Sequence, residues 1–187
     1  MLPQIQQDLV LTPYTQMWII NIYLLMIVSF MLVAGKLADF YNISTIFSLG
    51  IITFLLGSIG CGLSNSVSSL MFFRALQGIG AAFTLPLTFV LIIKGVNLHK
   101  QSAVMGNFIS LSTIFFIIAP YVCGFITEYF GWRAVFLLNI PLCLISCCIL
   151  FIACLKFPPI KNECLSFDIK GARLSYNYII MPNLWCY

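Results

Sequence analysis

Residues 73 to 82 read Phe-Arg-Ala-Leu-Gln-Gly-Ile-Gly-Ala-Ala, an arginine and a glutamine set inside an apolar stretch long enough to cross a bilayer. Arginine near the centre of a spanning helix costs about 2.5 to 3.5 kcal/mol on insertion scales, so a chain that keeps one generally supplies a partner or a wet cavity. Arg74, Gln77, Gly78, Ala81 and Ala82 follow the i, i+3, i+4, i+7, i+8 pattern of one helical face. Its small residues permit close approach of a second helix, which is also what ordinary helix packing in lipid uses. A second reading concerns Arg74 itself. If the helix starts at Val67, Arg74 lies roughly 10 Å deep at 1.5 Å per residue, and its stem could snorkel back to the interface.

Working outward, composition sets the class. Of 187 residues 61% are hydrophobic and 7% charged, with a mean hydropathy of +1.06, far from the one-quarter charged content of soluble domains. The expectation is an all-α, polytopic membrane helical bundle. About five segments have spanning length, at roughly 16–38, 43–63, 67–93, 103–127 and 133–155. Asp39 to Asn42, Ser64 to Ser66, Lys94 to Ser102 and the turn Glu128 to Trp132 separate them, and connections this short make neighbours antiparallel. Helix is the natural state because backbone groups in lipid need internal partners. The organisation expected is an extracytoplasmic tail at 1–15, a transmembrane region at 16–155, and a cytoplasmic linker and tail at 156–187.

Basic residues orient the bundle. With the N-terminus outside, the inner side receives Lys36, Lys94, Lys100, Lys156, Lys161, Lys170 and Arg173, and the outer side at most Arg74 and Arg133. The C-terminus is then cytoplasmic. Trp18, Tyr129, Phe130 and Trp132 fall at span ends, as interfacial aromatics should. The start, with Pro3, Gln4, Gln6, Gln7 and Asp8, lacks the basic-then-apolar form of a cleavable signal peptide. The net charge of +4 reports topology, so no nucleic-acid partner is expected.

The residue inventory argues against an enzyme. The only histidine, His99, falls in a loop, and the spans hold no carboxylate beyond Asp39 and Glu128 at their ends. Cys61, Cys123, Cys143, Cys147, Cys148 and Cys154 lie in or beside apolar spans, where cysteine behaves as a small hydrophobe, and neither a disulfide framework nor zinc-ligand spacing is present. Gly78-Ile79-Gly80 lies mid-span without the lysine or strand context of a nucleotide loop. No cofactor or metal site is expected, and energy for any transport would come from an ion gradient.

Several motifs occur in one order. They are Leu2 to Leu9, Trp18 to Leu25, Gly35-Lys36-Leu37-Ala38-Asp39, Phe73 to Ala82, Ala119-Pro120-Tyr121-Val122-Cys123-Gly124, and Tyr129 to Arg133 with Asn139-Ile140-Pro141. In that order they resemble the N-terminal half of a major facilitator superfamily transporter, most closely the fourteen-helix drug:proton antiporter branch. The resemblance implies proton-coupled efflux of lipophilic small molecules from a bacterial inner membrane. It implies Arg74, Gln77 and Gly78 as polar and close-packing elements of the path, and Gly35, Lys36 and Asp39 as a contact locking one state of the cycle. It also implies Pro120 and Gly124 as the bend and close contact of the antiporter helix. On physical grounds alone, Lys36 and Asp39 could equally be a solvated loop pair, and Pro120 a purely structural kink.

Departures accompany the matches. Phe40-Tyr41-Asn42-Ile43-Ser44-Thr45 carries no positive charge where the family has a basic run, and Ala119 and Cys123 stand where glycines are usual. The first family helix, with its acid and asparagine, is largely absent, and no apolar run follows Phe167 to Ala172. The expectation is a truncated chain, inactive alone, that would need a second half or another membrane chain besides the lipid around it. The alternative is a small membrane scaffold associating through Gly50, Gly57, Gly60 and Gly62 on one helix and Gly78 with Ala81 or Ala82 on the next.

Overall fold

The structure is a computed structural model that describes Asp8 and residues 12–156, without the side chains of Asp39, Phe151 and 153–156. Of the expected tail at 1–15 only Asp8 and 12–15 are described, and Pro13 to Thr15 already belong to the first helix; the tail from 157 and the side chain of Asp39 lie outside the described residues. Within them the chain is helical: α1 (Pro13–Phe40), α2 (Ile43–Leu63), α3 (Val67–Lys94), α4 (Leu98–Phe130), α5 (Trp132–Leu137) and α6 (Asn139–Lys156). Five helical stretches are long and apolar enough to span a membrane, α5 and α6 together forming the last.

Local chemistry sets these boundaries. Thr12 caps α1 by accepting from the Thr15 N–H, with Pro13 in the first turn where its missing N–H is harmless. Asn42 and Ser66 cap α2 and α3 in the same way, through Ser44 and Ser69. Gly131 ends α4 at a φ of 81°, a left-handed conformation that favours glycine, and its N–H closes on the Thr127 carbonyl at 3.1 Å. Pro141, in the first turn of α6, has no N–H to bond the Leu137 carbonyl one turn back, and the break after α5 falls there. Inside the spans, hydroxyls bond back to their own helix, as Ser48 does to the Ser44 carbonyl at 2.8 Å and Thr88 to Thr84 at 2.8 Å.

Two expectations are corrected here. His99 and Lys100 do not lie in a loop, because α4 begins at Leu98 and both occupy its first turn. Gln101 permits this early start: its amide donates to the Ile93 carbonyl at 2.9 Å and the Val96 carbonyl at 3.3 Å, satisfying acceptors that the end of α3 leaves open. Trp132 is not an interfacial aromatic. It is 2% exposed and packs with Ile19, Cys61, Leu70 and Phe136, whereas Trp18, Tyr129 and Phe130 are exposed.

Packing is uneven. α3 lies between α1 and α2 and touches both along much of its length, while α1 and α2 barely meet. α5 and α6 both pack on α2, and α5 also meets Ile19 of α1 and Leu70 of α3 through Trp132 and Phe136. α4 contacts α5 and little of α3, and no residue of its most apolar window is buried. Two apolar clusters result, Ile19, Cys61, Leu70, Trp132 and Phe136 towards one end and Ala38, Ile43, Ile46 and Leu87 towards the other. Gln77 and Ser58 are buried between them.

Candidate functional site: a buried guanidinium between three helices

Gln77 and Gly78 sit where α3 is held on two sides. A Cβ on Gly57 of α2 would come within 2.7 Å of the Gln77 amide nitrogen, and a Cβ on Gly78 within 2.6 Å of the Tyr23 carbonyl oxygen on α1. Both neighbours are backbone, so neither can yield. At 1.5 Å per residue Gln77 is about 15 Å from the start of α3, half the thickness of a hydrocarbon core. Gly78 of the 74–82 face thus brings α1 to backbone contact, and on the other side Gly57 of α2 lets α2 approach Gln77.

Polar groups at this level form a chain. The Gln77 Nε2 donates to Ser58 Oγ at 2.8 Å, and Ser58 Oγ donates to the Phe54 carbonyl at 2.9 Å. Arg74 Nη1 donates to Gln77 Oε1 at 3.4 Å, and its guanidinium carbon lies 4.5 Å from the Phe136 ring centroid and 5.7 Å from that of Tyr23. Arg74 Nε is buried and has no hydrogen-bond partner. The head of Arg74 therefore turns into the bundle between aromatic faces and does not snorkel. Among the described residues no carboxylate lies within ion-pair distance of it. Cation–π contacts contribute about 0.5 to 2 kcal/mol each depending on desolvation, the same scale as the insertion penalty.

The other expected site residues are not brought to this point. Gly35 and Lys36 lie near the end of α1, far along the helix from Tyr23; Lys36 is exposed, and a Cβ on Gly35 would meet nothing within 4 Å. Pro120 and Gly124 are exposed on α4, which stays helical through the proline, and a Cβ on Gly124 would likewise meet nothing. The close approach expected at Gly35 and at Gly124 is thus absent among the described residues, because few neighbours face either helix there. The glycines of the scaffold alternative behave in the opposite way. Gly50 meets Phe83 and Thr84, Gly57 meets Gln77, Gly60 meets Phe73, Gly62 meets Leu137 and Gly78 meets Tyr23, so those faces are filled within the bundle.

Residues without a sequence signal complete the picture. Tyr23 and Phe136 flank Arg74 and Ser58 holds Gln77, from three other helices, and nothing in their local pattern distinguishes them from ordinary span residues. At the end of the bundle holding the α2–α3 turn, Asp8 accepts from Trp132 Nε1 at 2.8 Å and lies 3.7 Å from Arg133 Nη1. Arg133 also donates to the Ser64 carbonyl at 3.2 Å and covers the Trp132 ring at 4.3 Å.

Residues 1–172 match the family model described as Major Facilitator Superfamily. Similar curated proteins include the riboflavin transporter RibZ of Clostridioides difficile, 29% identical over 92% of this chain and 38% of that protein. The putative multidrug resistance protein MdtD of Escherichia coli is 31% identical over 91% of this chain and 36% of its own length. Multidrug resistance protein 3 of Bacillus subtilis is 32% identical over 67% of this chain and 24% of its own length. The chain spans about a third of the length of the curated relatives it matches.

Proposed function

The chain belongs to the Major Facilitator Superfamily, and from that premise we propose that it forms part of a proton-coupled transporter moving lipophilic small molecules out across a bacterial inner membrane, with its N-terminus outside. The observation that carries the reading is the half-buried Arg74, its Nε enclosed, with the buried Gln77 and Ser58 beside it, on the helix that two others clasp. An arginine kept in that position marks a substrate or ion pathway more often than a structural device. Multidrug-resistance relatives favour lipophilic substrates, while a riboflavin transporter among the similar proteins makes a polar aromatic substrate the competing outcome. In this reading Arg74 and Gln77 are the polar elements of the path. Lys36 and Asp39 form a gating contact at the inner end, Gly35 and Gly124 give room for helices to approach during the cycle, and Pro120 is a bend.

Because the relatives are about three times as long, the reading assigns the rest of the path to helices beyond those described. Vesicles with an acid interior test it. The chain alone is expected to move no ethidium, whereas co-reconstitution with the remaining helices of a relative such as MdtD is expected to give uptake that Arg74→Ala abolishes. Ethidium movement by the chain alone would remove the need for a complement. An assembled complex that moves neither ethidium nor riboflavin, or one indifferent to Arg74→Ala, would remove the transport reading.

A further inference from the structure

We propose that Ser58 is a positioning residue for Arg74, acting across the helix interface through the Gln77 amide; the inference rests on the reading of Arg74 as the polar element of the path. Proton accounting supports it. The Ser58 hydroxyl has one hydrogen, and the geometry places that hydrogen on the Phe54 carbonyl at 2.9 Å. Its remaining capacity is as an acceptor, so the Gln77 group 2.8 Å away has to be the NH2. The amide is thereby turned with Oε1 towards Arg74 Nη1. Among the described residues Gln77 Oε1 is the one hydrogen-bond acceptor of this guanidinium, and its orientation is decided on α2.

The backbone contact makes serine the fitting residue. Gly57 lets α2 approach the Gln77 backbone so closely that a Cβ there would lie 2.7 Å from its nitrogen, and Ser58, next in sequence, is fully buried against the same turn. A one-carbon hydroxyl reaches the amide at this separation. Alanine would leave Gln77 Nε2 buried without an acceptor, and the amide would then be free to turn and present its NH2 to a cation. Tyr23 and Phe136 meet the guanidinium through their rings, and among the described residues neither accepts a hydrogen bond from it, so they do not substitute for this brace.

The chain's arginines are Arg74, Arg133 and Arg173, so side-chain 15N spectra of arginine-labelled protein in lipid nanodiscs are simple to assign, Arg74→Lys removing the signal of interest. Hydrogen bonds to charged groups are worth about 1.5 to 3 kcal/mol, so Ser58→Ala is expected to speed exchange of the Arg74 guanidinium protons roughly tenfold or more. Arg133 should be unchanged. Ser48→Ala, which removes a hydroxyl bonded only within its own helix, should leave Arg74 exchange as it was. In a Gln77→Ala background the Ser58→Ala effect should vanish. Should Ser58→Ala not fold, Ser58→Cys, of similar size and weaker acceptor strength, is read in its place. Unchanged Arg74 exchange in folded protein, an equal effect of Ser48→Ala, or a Ser58 effect that persists without Gln77 would overturn the proposal. None of these readouts depends on dye movement, so loss of the transport reading leaves a distinct result.

Discussion

At the scale of single residues, the glycines separate into two populations with opposite predicted responses to one added methyl. A Cβ at Gly57 would lie 2.7 Å and 2.8 Å from the Gln77 nitrogen and Cα, backbone atoms that can move only if two helices separate. Overpacking of this kind costs about 1 to 3 kcal/mol. At Gly35 the same methyl meets nothing within 4 Å, and within a helix alanine is favoured over glycine by roughly 0.5 to 1 kcal/mol. Gly57→Ala is therefore expected to lower the midpoint of unfolding in detergent, and Gly35→Ala to leave it unchanged or raise it. Equal destabilisation by both would show that α2 and α3 do not touch at this level. The sequence marks both as close-packing glycines, Gly35 by a family motif and Gly57 by the glycine face of its helix, yet only the second is squeezed, because which helix lies opposite decides it.

Between elements, the Asp8 carboxylate meets α5 through two unequal partners. Trp132 Nε1 is buried with its ring and bonds Asp8 at 2.8 Å, whereas the Arg133 to Asp8 ion pair is longer, 3.7 Å, with side chains 39% and 53% exposed. An exposed pair contributes about 0 to 1 kcal/mol, but an indole N–H left buried without an acceptor costs about 1 to 3 kcal/mol. Asp8→Asn keeps an acceptor and loses only the charge, so it is expected to have a small effect in denaturant titrations, and Asp8→Ala a clearly larger one. Equal losses would put the weight on Arg133. Span positions were legible in the sequence because twenty-residue apolar runs need only length and composition. The Arg74 and Gln77 face was legible because helical spacing brings them together without any tertiary information. Trp132 was misplaced for the same reason that Tyr23, Ser58 and Phe136 were missed: each depends on which helix lies opposite, and a linear pattern carries no such information. The α4 start was misjudged because Lys94, His99 and Lys100 look like a loop until Gln101 is seen closing the turn.

For the whole molecule, the helices are unequally enclosed, and chemical labelling can register that together with the orientation. α4 and most of α6 turn large apolar side chains outward, among them Phe115, Phe116, Ile117, Leu144 and Ile149. Lipid satisfies such faces, since acyl chains are as apolar as leucine. Cys148 is exposed on α6 and Cys61 fully buried on α2, so a photoactivated lipid-soluble carbene, which needs no thiolate, should label Cys148 readily and Cys61 only after unfolding. A water-soluble maleimide addresses the ends of α3. Asn65 lies just before it in the turn from α2, and Lys100 just after it in the first turn of α4; both are exposed. With Cys164 and Cys186 changed to serine, Asn65→Cys is expected to react in intact bacteria and Lys100→Cys only after permeabilisation. The positive-inside asymmetry sets that direction, since Lys36, Lys94 and Lys100 gather at one end of the described bundle and Arg133, paired with Asp8, stands at the other. A reversed pattern would overturn the orientation and leave the bundle intact. Labelling of both positions from one side would mean that α3 does not cross, and a guanidinium held mid-helix between Tyr23 and Phe136 would then have no hydrocarbon to be shielded from.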